Sequence, residues 1–250
     1  MNSIEGRRGN PRIKPPFPAQ AGLFALPTTI NNVETLASVS HILNRGAEWY
    51  KGLCLSNPKS TGTKLISVCG HVQRPGNYEV TMGTPMKDLI FEMCGGMKPG
   101  RTLKAVIPGG SSVPIMTAAE TEDCLLDYEG VVARGSMLGS AGMIVMDDST
   151  DMVYQIWRLA RFYAHESCAQ CTQCREGTAW TTKILERILA GKGKASDLDL
   201  LLSLSENMTG KTICVLSDSC AAPIVSGIAK FRSEFDAYLS GARQPALAMA

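Results

Sequence analysis

The chain has 250 residues, 44% of them apolar and 19% charged, a balance typical of a globular fold with one large or two small domains. A net charge of +2 is too small to point to a nucleic-acid partner, and no apolar run approaches the roughly 20 residues that span a bilayer. The polar start, MNSIEGRRGNPR, does not read as a secretory signal, so the nine cysteines are expected to be reduced, either free or metal-bound.

Met1 to about Pro27 reads as an extended arm. Pro15, Pro16 and Pro18 remove amide donors and bias their neighbours toward extended geometry. A solvated surface strap explains Arg7, Arg8, Arg12 and Lys14 better than nucleic-acid binding does. Asn31 to Arg45 follows as a predicted helix, capped by Asn32 and closed by Gly46, with Val33, Leu36, Ala37 and Leu43 near one face.

Between residues 63 and 147 the pattern changes to strands. TKLISVCG and NYEVT read as a strand pair across a Pro75-Gly76 turn. PMKDLIFEMCGG reads as a short helix ending on Gly95-Gly96, and LKAVIPGG and GMIVMDD read as further strands. Gly109 to Ser112 form a tight turn. The preferred topology is a β-grasp within an α+β fold.

From residue 148 the strands stop. DMVYQIWRLARFYAHE carries Val153, Ile156, Trp157, Ala160 and Tyr163 on one face, and EGTAWTTKILERILAG carries Trp180, Ile184, Leu185, Ile188 and Leu189. Ser196 is predicted to cap DLDLLLSLSENM, and Pro223 to open the last helix. Four amphipathic helices with short loops make a bundle.

Cys168, Cys171 and Cys174, in HESCAQCTQCREG, lie at the first connection between these helices. Three thiolates in seven residues clamp a metal better than they pair as disulfides. The triplet lacks the adjacent fourth ligand of the bacterial ferredoxin run. On a continuous helix, steps of three would fan the sulfurs over about 120 degrees, so a loop feeding a helix is expected instead. Backbone N–H groups there can face the sulfur atoms. Cys214, in the loop before the last helix, is the candidate fourth ligand, with Cys220 as its rival.

Three plus one favours an iron–sulfur cluster over zinc, which takes paired knuckles more often; a metal-free site is the third reading. Arg175 is placed to favour a reduced, more anionic cluster. His165 is expected to be a helix-end residue, not a ligand. Cys54, Cys69, Cys94 and Cys124 are expected to be buried inert thiols.

The string FYAHESC-x2-CT-x-CREG, followed by TIC, resembles the NADH-binding, flavin-carrying 51-kDa subunits of bacterial respiratory complex I. NSIEGRRGNPRIKPPFPAQAGLF, PTTINNVETLASV, IPGGSS and GSMLG extend the resemblance, in order, across essentially the whole chain. It implies a [4Fe-4S] cluster on Cys168, Cys171, Cys174 and Cys214. It also implies FMN contacts at Asn31 and Asn32, which otherwise simply cap their helix, and NAD(H) as substrate.

The implied organisation is an arm and helix over residues 1–62 as a remnant of the FMN-binding domain, an SLBB-like β-grasp domain over 63–147, and a four-helix iron–sulfur bundle over 148–250. The family's large amino-terminal part, which binds FMN and NADH, would precede this chain, so the chain alone is not expected to oxidise NADH. The implied role is electron transfer from NADH-reduced FMN toward quinone. The implied partners are the other peripheral-arm subunits, including the 24-kDa-type [2Fe-2S] subunit, on the cytoplasmic face of the plasma membrane without insertion into it.

A diaphorase subunit of an NAD-linked formate dehydrogenase or hydrogenase, and a non-catalytic assembly module, are the alternatives. Three departures from the family pattern bear on the site. Ala169 and Gln173 replace a glycine and a proline, and SDSCAAP follows Cys214. Ala169 is expected to need ordinary backbone angles where glycine is free.

Overall fold

A computed structural model of the protein describes residues 1–55 and 59–247. It divides into two compact units, Met1–Gly52 and Leu53–Ala250.

In the first unit the prolines exclude regular structure up to a short 3-10 turn, Leu23–Ala25. The segment is nevertheless folded back on itself. The Glu5 carboxylate accepts from the Phe24 amide at 2.9 Å and pairs with Arg12 at 2.8 Å, while Arg12 Nε donates to Asn2 Oδ1 at 2.6 Å. Arg12 is thereby paired and is not part of a free cationic strip. Helix α1 (Val33–Arg45) starts on Asn32, whose side chain accepts from the Glu34 amide at 2.8 Å, and stops at Gly46. A short α2 (Ala47–Lys51) follows. The predicted apolar face of α1 is exposed at Val33, Leu36 and Leu43.

The second unit opens with β1 (Thr63–Gly70) and β2 (Gly76–Thr81), paired antiparallel with Ile66 opposite Tyr78. After β3 (Thr84–Pro85) the chain makes a π-helical turn over Asp88–Met93, where a short α-helix is the sequence expectation. Then come β4 (Leu103–Ile107), β5 (Met116–Thr117), α3 (Ala118–Thr121), β6 (Leu125–Leu126), α4 (Tyr128–Ala133) and β7 (Gly142–Asp147). The main sheet has the order β2-β1-β7-β4-β5, with β7 parallel to β1 and antiparallel to β4. This is the β-grasp arrangement, and the fold is α+β.

Because β7 and β4 are central, both of their faces are covered. Met143 and Val145 of β7 and Val106 of β4 face one core, with Ile66, Met86, Leu89 and Leu126. Met146 of β7 and Ala105 and Ile107 of β4 face the helices. A strand buried on both sides needs a continuous apolar run, which is what LKAVI and MIVM supply. In β1, by contrast, Ile66 and Val68 are buried while Leu65 and Cys69 are exposed.

The IPGG and GSMLG segments meet backbone to backbone. Ser140 N donates to Gly109 O at 3.2 Å and Gly110 N to Gly142 O at 2.7 Å. A Cβ at Gly109 would lie 2.3 Å from the Met137 carbonyl oxygen.

The helical part holds α5 (Met152–Glu166), α6 (Thr172–Leu189), α7 (Asp197–Met208), α8 (Leu216–Lys230) and α9 (Arg232–Leu239). Five sequence expectations need correction. Helix α6 begins before Glu176, so Cys174 lies inside its first turn. Ser196 stands at the N-cap of α7 without a side-chain bond; the Asp197 carboxylate instead takes the Lys194 amide at 2.8 Å and the Arg187 guanidinium. Pro223 lies inside α8 and does not open it. An interior proline costs about 3 kcal/mol, and burial of Cys220, Ala221, Ile224 and Ile228 on the same helix offsets that. The final helix breaks at Phe231 (φ −123°, ψ 32°), giving α8 and α9. Trp180, expected in the core, is 52% exposed.

Candidate metal centre

The thiols of the triplet sit on a loop that runs into a helix. Helix α5 ends at Glu166. Ser167 leaves in extended conformation, Cys171 is the N-cap of α6, and Cys174 is buried in its first turn. Cys214 immediately precedes Val215, the N-cap of α8. Two helix amino termini therefore carry the cysteines. Neither Cys171 nor Val215 caps its helix with a side-chain hydrogen bond, so first-turn amides and the positive ends of both helix dipoles remain to face an anion.

The two loops are tied to each other through sulfur. The Ile213 amide, next to Cys214, points at Cys171 Sγ at 3.5 Å. Thr212 Oγ1 lies 2.6 Å from Ser217 Oγ and donates to the Cys214 carbonyl at 2.8 Å. Buried Ser217 in turn donates to the Met208 carbonyl at the end of α7.

On the triplet side, Ala169 has φ +64°, the left-handed region that favours glycine. This overturns the expectation of ordinary angles at that position. The arrangement is held because Ala169 N–H donates to Ser167 Oγ at 3.3 Å and Ala169 C=O accepts from Arg175 Nη1 at 2.9 Å. Arg175 Nε is also bonded to Glu176 at 2.9 Å. The Arg175 cation is thus engaged by a carbonyl and a carboxylate and does not stand free beside the sulfurs.

Burial pushes the Cys174 thiol above its ordinary pKa. Ser167 opposes the shift, and Cys214, Cys168 and Cys171 add to it. Cys168, Cys171 and Cys214 therefore all lie within electrostatic reach of Cys174, and thiolates gathered around it repel unless cations sit among them. Among the described residues, no three His, Cys, Asp or Glu groups converge tightly enough to chelate a single metal ion. The donor set has the chemistry of a cluster site.

Cys220, the rival fourth ligand, is fully buried in the second turn of α8, its thiol pushed up to about 12 by burial and, to a lesser degree, by Cys174, so it too lies within electrostatic reach of that thiol but on the helix itself and away from solvent. His165 is exposed and bonded to Glu166 at 3.0 Å. Cys94 and Cys124 are buried, as expected, but Cys69 is exposed and Cys54 only partly covered. Asn31 and Asn32 are both exposed, with Asn32 committed to its cap. Sequence reasoning missed Ser167 as a sulfur partner; serine before a cysteine carries no signal until the loop path is known.

Residues 154–238 match the NADH-ubiquinone oxidoreductase-F iron-sulfur binding region, and residues 64–154 match the SLBB domain. The NADH-quinone oxidoreductase F subunit of Rickettsia bellii is 48% identical over 237 residues, which are 94% of this chain and 56% of that protein. The corresponding F subunit of Streptomyces coelicolor is 49% identical over 241 residues, 96% of this chain and 53% of that protein. Among solved structures, an NAD+-reducing [NiFe]-hydrogenase in the H2-reduced state superposes with a TM-score of 0.85 at 36% identity, over 95% of this chain and 40% of that one. The chain thus spans about half the length of these two oxidoreductase relatives. Over that span it is a homologue of the F subunits of NADH-quinone oxidoreductases and carries the SLBB domain and iron–sulfur binding region of that family.

Proposed function

We propose that Cys168, Cys171, Cys174 and Cys214 hold one [4Fe-4S] cluster, and that the chain passes electrons from NADH-reduced FMN through it toward quinone as part of an NADH:quinone oxidoreductase. The observation that carries this reading is the gathering of four cysteines at the amino termini of α6 and α8. When bound, the cluster supplies one-electron transfer. The residues supply the thiolates, the amide of Ile213 aimed at Cys171, and a partly exposed setting for Cys168, Cys171 and Cys214 that leaves an electron path to a partner.

In this reading Asn31 and Asn32 face FMN, NAD(H) is the substrate, and the working partners are peripheral-arm subunits, including a 24-kDa-type [2Fe-2S] subunit. No helix among the described residues is long and apolar enough to cross a membrane; the same reading puts the chain at the periphery of the cytoplasmic face, held there through the complex. The division into an arm and helix (1–62), a β-grasp domain (63–147) and a cluster-bearing bundle (148–250) belongs to the same proposal.

Anaerobic reconstitution with iron and sulfide tests the site. We expect a brown protein with broad absorption near roughly 400 nm and about four irons per chain, and we expect Cys214→Ser to lose most of that iron. A colourless chain that takes up a single zinc would end this reading. The hydrogenase similarity favours a second assignment, the diaphorase subunit of an NAD-linked hydrogenase. The subunits that co-purify with the chain from its host distinguish the two.

A further inference from the structure

We infer that Ser167 is a positioning residue for the cluster, whose hydroxyl donates a hydrogen bond to the Cys174 ligand sulfur while accepting one from the Ala169 amide, and so both fixes the thiolate loop and raises the cluster's reduction potential. The inference rests on the cluster assignment above.

The hydrogen-bonding capacities of the three groups fix the direction. Ser167 Oγ is 3.4 Å from Cys174 Sγ and 3.3 Å from Ala169 N. An amide can only donate, so the Ser167 oxygen accepts from Ala169. A ligating Cys174 is a thiolate with no proton to give, so the serine proton points at sulfur. One hydroxyl is thus used in both senses.

Ala169 lies between the first two cysteines of the triplet, in a conformation that a residue with a Cβ rarely adopts. Its amide is held by Ser167 and its carbonyl by Arg175 at 2.9 Å. Both peptide planes flanking its left-handed φ are therefore pinned, and with them the backbone from Cys168 to Gln170.

Cys174 is the buried member of the four. A hydrogen bond to its sulfur acts there with little screening by water. Donation to a ligand sulfur stabilises the state with more negative charge, which is the reduced one, and so raises the potential.

The test compares the reconstituted full chain with its Ser167→Ala and Ser167→Thr variants. Ser167 has φ −60° and ψ 125°, angles that threonine also adopts. The readouts are iron and sulfide content, the half-life of iron retention under a chelator, and the midpoint potential from an EPR-monitored redox titration. We expect Ser167→Ala to have a lower midpoint potential and several-fold faster iron loss, and Ser167→Thr to restore both. If Ser167→Ala fails to load while Ser167→Thr loads, the hydroxyl is shown to position the loop. A Ser167→Ala variant with wild-type potential and retention would overturn the inference, as would a threonine variant no better than alanine. Failure of the wild-type chain to bind iron and sulfide would instead strike the cluster assignment itself.

Discussion

At the scale of single residues, Ala169 is the clearest departure from what local chemistry prefers. An L-residue in the left-handed region costs roughly 1–2 kcal/mol, and here the bonds to Ser167 and Arg175 hold it there. Strain of this kind collects at functional sites when the surroundings over-determine it. Glycine at this position would relieve the strain, at the cost of more freedom in the unfolded chain. Ala169→Gly is therefore expected to raise stability by about 0.5–1 kcal/mol, read as a higher denaturation midpoint in urea with an unchanged slope. A drop in midpoint would mean that the alanine methyl makes a contact worth more than the strain.

At the scale of elements, closeness of approach sets two expectations. The turn after β4 and the loop before β7 are stacked backbone on backbone, so a Cβ at Gly109 would strike the Met137 and Leu138 main chain. Backbone atoms cannot rotate away, and Gly109→Ala is expected to cost about 1–3 kcal/mol; chemical denaturation that shows no loss would refute the close approach. The start of α7 depends on Asp197, which is 1% exposed and paired with Arg187 of α6. Burial pushes its carboxyl up, but the Arg187 bond and the Lys194 amide outweigh that and hold it below the ordinary value. A depressed folded pKa means that the contribution is complete above the unfolded pKa of about 4 and fades as pH falls below it. Asp197→Asn should then cost about 2 kcal/mol near pH 7, with the gap to wild type closing below about pH 4. A gap that stayed constant across that range would rule out the charge as its source.

These elements also show what the sequence could and could not reveal. Strand β1 and helices α1 and α5 were legible because alternation or a 3.6-residue stripe ran between clear stops, and β7 because a continuous apolar run, MIVM, stands between Gly142 and Asp147. Strand, strand, helix and further strands in one compact stretch point to a β-grasp without giving the strand order, and antiparallel helix packing is what lets the loops before α6 and α8 meet, with the Ile213 amide on Cys171. The start of α8 was hidden because proline reads as a helix opener, and nothing local says that LSDSCAA has enough buried partners to extend the helix back past it. Strands β3, β5 and β6 have two residues each, too short for any period to register. Ala169 misled because left-handed geometry is imposed by partners six and two residues away, not by alanine itself.

At the scale of the unit Leu53–Ala250, the sheet and the helices are not separable bodies. Ala105, Ile107, Val113 and Ile115 from the sheet region share one core with Ile156, Leu185, Ile224 and Ile228 from the helices. Polar ties reinforce it. The Ile115 amide donates to Ser226 Oγ at 2.9 Å, Lys230 reaches the Ile115 carbonyl and Glu120, each at 2.8 Å, and Lys104 of β4 pairs with Glu234 of α9 at 2.7 Å. Helix α8 carries both ends of this linkage, since Cys214 precedes its first turn and Ser226 and Lys230 lie near its last. A ligand that binds only the folded state stabilises whatever unfolds together with its site, and cooperative units follow shared cores, not segment boundaries. Loading the four thiols with iron and sulfide should therefore slow hydrogen exchange at the amides of β4 and β7 as well as in α6 and α8. Exchange compared between the metal-free and reconstituted chain reads this residue by residue. Protection confined to the cysteine loops and their helices, with the strands unchanged, would show that the common core does not couple the sheet to the metal centre.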